Sequence, residues 1–507
     1  MDYEMRKDHV FSISINGQLH GFFKGKRGLR QGDPMSPYLN TLVMEVLTLM
    51  LQLHAQESGA FRFHPKCEKL GIINVCFADD LFLFSHANTN SVSIIAATLE
   101  EFKQCSGLAP SMEKSMAFFA NVSQIIKNAI LTILPFDEGK LPVRYLGVPL
   151  VSSSLLHHGC KVLVDRVRCK IQDWKNKFLS FVGRVQLIIS VLTSMPIYWQ
   201  SVSMLPKAII KEIEALMRDF LWIQGEYKRG KAKVKWSTVC LPRDEGGLGI
   251  KRFNEWNRGL MTSHIWFLLT CKESLWVQWV HAYHLRGTNF WRLPKVAGAS
   301  VGWRKLLAIR DMVLDRFIYK IGDRTSISAW HDCWCDLGPL DKVISNRAIH
   351  SAGFNHNTTV SEIVSDGGWT WPSNCGILYP QLQHVSVLLL HHGSDVVQWH
   401  NYEGDLQDFR VSSVWQVLRN RADQAVVDSL CPIAAKRNDP IIMSKLMFGA
   451  TVYNIWRERN DRLFKKKSKS PSQVFDDIFA VIRLKIMSIK WKNSSQVQEM
   501  KADWKVP

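Results

Sequence analysis

Long apolar runs are scarce in these 507 residues. One uncharged stretch, Val185 to Pro206, has the length to span a bilayer, but it carries Gln186, Ser190, Thr193, Ser194, Gln200, Ser201, Ser203 and two prolines. It is predicted to be a buried helix ending near Pro196, with no membrane span. No secretory leader is expected either, because Met1 to His9 holds Asp2, Glu4, Arg6, Lys7 and Asp8 and no apolar core. The eleven cysteines are odd in number and scattered. That excludes a disulfide framework and points to a reducing setting, cytoplasmic or nuclear. Internal repeats and low-complexity tracts are lacking, and 46% apolar with 21% charged residues excludes a disordered or collagen-like chain. Acid is in short supply: 45 Asp and Glu stand against 64 Lys and Arg, a net charge of +19. Such a surplus predicts partners of dense negative charge, nucleic acid before anionic membrane. This length suits two to four domains.

The first 150 residues alternate strand and helix signals. Phe11, Ile13 and Ile15 alternate with polar residues, and Asn16-Gly17 is the preferred pair for a tight hairpin turn. A basic loop follows, from Lys24 to Gly32. Asp33-Pro34 and Ser36-Pro37 each offer an N-cap followed by proline. Leu39, Leu42, Val43, Val46, Leu47, Met50 and Leu51 then recur at helical spacing. Ile72–Ala78 and Leu81–Phe84 read as the arms of a hairpin with Asp79-Asp80 at its tip. A helix is predicted from about Ser91 to Ser106, with Gly107 as its stop. Ser115 to Phe119 and Tyr145 to Val151 read as strands. From Leu155 to Cys271 the pattern is mainly helical, broken by a basic loop at Tyr227–Lys235. The remainder is Trp-rich and weakly periodic.

Two segments carry chemistry. Adjacent carboxylates repel by about 4 kcal/mol at 4 Å and an effective dielectric of 20. A Mg²⁺ ion would convert that repulsion into coordination; two solvated acids in a turn are the other reading of the same pair. The basic loop before the first helix places Lys24, Lys26, Arg27 and Arg30 beside a helix N-terminus, which favours anions. A capped helix after an exposed loop has the same pattern.

Taken together, Gly28-Leu29-Arg30-Gln31-Gly32-Asp33-Pro34-Met35-Ser36-Pro37 followed by Phe77-Ala78-Asp79-Asp80 resembles the reverse transcriptase palm, and more narrowly that of plant non-LTR (LINE-type) retrotransposons. Further matches are Tyr145-Leu146-Gly147-Val148-Pro149-Leu150, Gly183-Arg184, Gly246-Gly247-Leu248-Gly249, Trp330-His331-Asp332-Cys333-Trp334, and the stretch from Val411 through Trp415 to Leu418-Arg419. Tyr453–Asn460 matches as well. The resemblance implies an α+β fold: a partial palm over 1–152, a mainly helical thumb-like region over 153–340, and a small C-terminal remnant of a zinc-binding-type region with a basic tail over 341–507. It implies RNA-directed DNA synthesis on an RNA template and DNA primer from dNTPs, using two Mg²⁺ ions about 3.5–4 Å apart. Asp79 and Asp80 would be the catalytic metal ligands. Arg30, Gln31, Gly32 and Lys114 would contact nucleotide or template, and Tyr145, Leu146 and Gly147 would lie at the primer grip.

The match also has gaps. The family's first metal-binding Asp stands in a stretch like DLxKAYD upstream of the basic loop, and Asp2, Glu4 and Asp8 bear no likeness to it. An N-terminally truncated chain with an incomplete two-metal site is therefore expected, and loss of one member of an interdependent set removes most of a rate. The family's C-terminal Cys/His cluster has no counterpart here: Cys333 and Cys335 near His331 lack a second pair, so no zinc is expected. The basic clusters, Lys228–Lys235 and Arg457–Lys469, persist with Trp222, Trp236 and Trp456 near them in sequence. They leave open a second reading, a non-catalytic nucleic-acid-binding relic.

Overall fold

In the computed structural model of the chain, the described residues are 10–24, 32–151, 157–175, 179–222, 234–296, 298–365, 368–369, 371, 379–380, 382, 385, 392–419, 421 and 468–488, with 447, 450–451, 453–455, 457–458, 462, 498 and 502. They form helices and small sheets of two or three strands, an α+β arrangement. Two compact units are present, each assembled from separate stretches of chain. The first comprises Met1–Ser154, His264–His400 and Leu406–Asp408; the second comprises Leu155–Ser263, Asn401–Asp405 and Phe409–Pro507.

The first unit opens with a ribbon, β1 (Val10–Ile15) and β2 (Gln18–Lys24), joined through Asn16 and Gly17 at φ 51° and 82°. Positive φ at both central residues matches the twist of the arms, as the Asn-Gly pair predicts. Helix α1 (Ser36–Ser58) carries Pro37 in its first turn and stops at Gly59, φ 57°. The expected caps are corrected. Asp33 accepts from the Met35 amide at 2.9 Å, closing a local turn, and Ser36 is already helical. Helix α2 (Thr89–Ser106) begins two residues before the predicted Ser91, because the Asn88 side chain accepts from the Ser91 amide at 2.7 Å. It ends at Gly107, φ 76°, as expected.

Helices α1 and α2 pack Leu47, Leu51 and Ala55 against Ile95, Leu99 and Phe102, with Phe61 and Ile73 completing the core. His54 bridges the two helices, 2.8 Å from Thr98 Oγ1 and 3.3 Å from Glu101. Two strand expectations change. Only Met116–Ala117 pairs within the predicted Ser115–Phe119 strand, parallel to Asp137–Glu138, and Asn121 at φ 55° then turns the chain. Tyr145 to Val151 is a hairpin, Val143–Tyr145 against Val148–Leu150, because Leu146 and Gly147 take φ of 48° and 80°.

The later part of this unit holds an antiparallel sheet in which Val396–His400 lies between Phe317–Lys320 and Leu406–Gln407. Trp330, Trp334, Trp399 and Phe317 are fully buried, and Trp399 stands edge to face with Phe317 at 5.2 Å. Their polar edges are served where shown: Trp330 Nε1 donates to Asn355 O at 2.8 Å and Trp334 Nε1 to Ala329 O at 3.1 Å. Cys333 and Cys335 are buried, and burial pushes their thiols up to about 12 and about 11. Thiols so disfavoured as thiolates are poor nucleophiles.

In the second unit, helices His157–Lys175 and Lys207–Trp222 pack together. Within Val185–Pro206 the buried helix ends shortly before Pro196, as expected. An α-helix ends at Leu187, a π-turn spans Ile188–Leu192, and a new helix runs Ile197–Val202 after Pro196. Buried Asn257 holds its end, donating to Gln200 O and Ser203 O and accepting from the Leu205 amide. Among the described residues no helix is long and apolar enough to cross a membrane. The Gly246–Gly249 turn has a packing reason: a Cβ on Gly247 would lie 1.9 Å from the Leu241 carbonyl oxygen. Beside it, Glu245 and Arg419 form a buried bidentate ion pair. Of the basic loop Tyr227–Lys235, residues 227–233 lie outside the described residues.

Two predictions follow from this packing. Gly247→Ala forces the backbone of 241–247 apart and should destabilise the protein by about 1–3 kcal/mol, seen as a lower urea midpoint. Asp332 is 1% exposed, and burial pushes its pKa up to about 6 despite bonds from the Ser328 amide and Asn289 Nδ2. A carboxyl with a higher pKa in the folded state binds its proton more tightly there. Its stabilising contribution is therefore whole below about pH 4 and is lost as pH rises through 6. The Tm of Asp332→Asn minus that of wild type should rise between pH 4 and 7; a flat difference contradicts this.

Candidate active site at an acidic hairpin

The acid pair sits where the sequence places it. β3 (Asn74–Phe77) and β4 (Asp80–Leu83) pair antiparallel with Phe77 opposite Asp80, Cys76 opposite Leu81, Val75 opposite Phe82 and Asn74 opposite Leu83. Ala78 and Asp79 form the two-residue loop, with Ala78 at φ 52°. Paired residues point to one face, and the faces alternate. Leu81 and Leu83 pack on the α1–α2 core, and Asn74 Nδ2 donates to Thr48 Oγ1 of α1 at 2.9 Å. The opposite face therefore carries Phe77, Asp80 and Phe82. Asp79 and Asp80 are both exposed, and Phe77 is 60% exposed beside them.

That open face meets the second hairpin. The Phe82 and Tyr145 rings stand edge to face with centroids 4.6 Å apart, and Phe84 stacks on Phe82 at 6.2 Å. The structure thus brings the candidates Asp79 and Asp80 into one assembly with Tyr145, Leu146 and Gly147. Gly32, at φ 87°, immediately precedes the Asp33 turn that leads into α1. Arg30 and Gln31 lie outside the described residues. Lys114 is exposed on the Ser111–Ser115 turn, whose bonds from Lys114 N, Ser115 N and Ser115 Oγ all run to Ser111 O. Sequence reasoning missed Phe82, the ring that joins the two hairpins, and it missed the left-handed backbone of Ala78. Neither has a signal in the residues: Phe82 reads as one of several strand aromatics, and positive φ ordinarily selects glycine or asparagine.

Among the described residues no group of three or more His, Cys, Asp or Glu side chains is placed to hold a metal ion. The hairpin presents two carboxylates to solvent, with no third acidic ligand beside them among the described residues.

Residues 1–150 match the reverse transcriptase (RNA-dependent DNA polymerase) family. The chain is similar to a putative ribonuclease H protein of Arabidopsis thaliana, 36% identical over 183 residues, covering 35% of this chain and 29% of that protein. It is also similar to an uncharacterised mitochondrial protein of the same plant, 24% identical over 149 residues, covering 29% of this chain and 97% of the relative. The uncharacterised 149 kDa protein of transposon TX1 from Xenopus laevis is 26% identical over 249 residues, 47% of this chain and 17% of that protein. The chain thus spans less than a third of the first of these relatives. It carries, in its first 150 residues, a reverse transcriptase domain. The relatives include a transposon protein, which is consistent with a domain of the non-LTR retrotransposon type.

The strained turn makes a test of the hairpin. Ala78→Gly, free of the left-handed penalty, should be tolerated, whereas the β-branched Ala78→Val should cost about 1–2 kcal/mol. Hydrogen exchange at the Phe77 and Asp80 amides reads the effect locally: faster in the valine variant, unchanged or slower in the glycine one.

Proposed function

We propose that this chain is the RNA-directed DNA polymerase part of a LINE-type retroelement, acting on an RNA template, a DNA primer and dNTPs. The observation that carries the reading is the Asp79-Asp80 turn, held on the α1–α2 core by one hairpin face and flanked on the other by Phe82 and Tyr145. In this reading 1–152 is a partial palm, 153–340 a thumb-like region and 341–507 a C-terminal remnant. Asp79 and Asp80 are the catalytic acids, Arg30, Gln31, Gly32 and Lys114 contact nucleotide or template, and the Tyr145–Gly147 turn guides the primer.

Reverse transcriptases use Mg²⁺, and the fit of that ion to this chain is only partial. Two adjacent exposed carboxylates are hard oxygen donors of the right kind. A two-metal centre needs more bridging oxygen than they supply, and no third acidic ligand joins them among the described residues. We therefore assign no reaction step to metal at this hairpin and read catalysis by the chain alone as crippled. The same gap favours the second reading, a nucleic-acid-binding relic without polymerase activity.

Primer extension on an RNA template with Mg²⁺ separates the two. The polymerase reading expects extension, abolished by Asp79→Asn. Extension that survives Asp79→Asn overturns the site. No extension, with template binding indifferent to Asp79 and Mg²⁺, establishes the relic.

A further inference from the structure

A second set of cations, drawn from two distant segments of the chain, gathers on the first unit. The loop 64–71 and the π-turn His281–Leu285 are more than two hundred residues apart, yet they lock together. Trp279 Nε1 donates to Lys66 O at 2.7 Å, the Lys69 amide donates to Tyr283 Oη at 2.8 Å, and Lys69 Nζ donates to Ala282 O at 3.1 Å. Lys69 also lies over the Tyr283 ring, 5.5 Å from its centroid. Arg286 closes the π-turn in left-handed backbone, φ 50°, with its Nε donating to Tyr283 O at 3.1 Å.

Two features distinguish this seam from an ordinary basic surface. Its charges lack carboxylate partners: Lys66, Lys69 and Arg286 are exposed, and among the described residues no ion pair joins any of the three to a carboxylate. They also converge. After burial, Lys66 and Arg286 are what hold His284 below its usual pKa, so both cations sit close enough to repel a third. Between them lie half-buried rings, Trp279 against Tyr283 at 5.6 Å and against His284 at 5.2 Å. Unpaired cations around ring faces are what a single nucleic-acid strand requires, phosphates meeting the cations and bases stacking on the rings.

We propose that the seam of Lys66, Lys69 and Arg286 around Trp279 and Tyr283 is a binding surface for single-stranded nucleic acid. It rests on the reading that this chain works on nucleic acid, but it requires no polymerase activity and no metal. The full chain is titrated with a fluorescent 20-mer oligo(U) in EDTA across a range of salt. Lys66→Glu/Arg286→Glu should weaken binding by about tenfold or more and lower the salt slope by at least about 1.4, the share of two phosphate contacts on a single strand. The control Arg166→Glu/Lys211→Glu makes the same charge change on exposed helix positions of the second unit. A loss in the control equal to that in the seam variant overturns the proposal, as does an unchanged seam variant. Ultraviolet cross-linking should attach the oligonucleotide within 279–283; adducts elsewhere only would contradict it. Loss of binding to phosphatidylserine vesicles with oligonucleotide binding intact would make the partner a membrane and refute the proposal. A seam variant that melts well below wild type is replaced by Lys66→Gln/Arg286→Gln, for which a weaker shift in the same direction is expected and no shift refutes. Because the assay omits Mg²⁺ and primer, its outcome is independent of whether Asp79→Asn abolishes extension.

Discussion

The two-residue alternation of one short hairpin, clamped on one side by a helical core, governs the rest of the candidate site. Leu81 and Leu83 bury against α1 and α2, and Asn74 bonds Thr48. Once those side chains face inward, Asp80 and Phe82 face the other way. A one-residue slip in register would bury the acid and expose the leucines, an exchange that apolar burial and carboxylate solvation both oppose. The hairpin is therefore held in one register by the cost of every alternative. The open side that results is where Tyr145 finds Phe82.

A comparable economy joins motifs that the sequence presents as separate. The Gly246–Gly249 turn and the Val411–Leu418 helix lie far apart in the chain, but Glu245 and Arg419 pair in a buried site, Gly259 lies against Val411, and Trp256 meets Trp415 edge to face at 6.5 Å. A Cβ on Gly259 would lie 3.3 Å from Val411, so the approach tolerates little added bulk. The Trp330–Trp334 motif has a similar explanation. Its rings fill the core of the first unit, and its Asp332 bonds Ser328 and Asn289 in the interior. These motifs have packing roles.

Where the residues carry a local cause, they were legible. Asn16-Gly17 marks a turn, Gly107 a helix stop, and the apolar runs around Asp79-Asp80 a hairpin, because backbone conformation and face alternation are properties of a few neighbouring residues. Where the cause is competition between nearby bonds, the reading missed. The Asp33 side chain bonds the Met35 amide in a local turn, so it does not cap the helix. Tyr145–Val151 has the composition of a strand, yet its centre turns back through Leu146-Gly147.

By itself the sequence determined the likeness of its first 150 residues to a reverse transcriptase, the acid pair and its hairpin, the helix that follows the basic loop, and the surplus of positive charge, since each depends on residue type and spacing alone. Tertiary structure decided which hairpin face the acid takes, that Phe82 ties it to Tyr145, and that two loops more than two hundred residues apart pool their cations around Trp279 and Tyr283. Those outcomes depend on contacts between distant segments, whose free energy is won only when both have folded and which leave no local pattern to read.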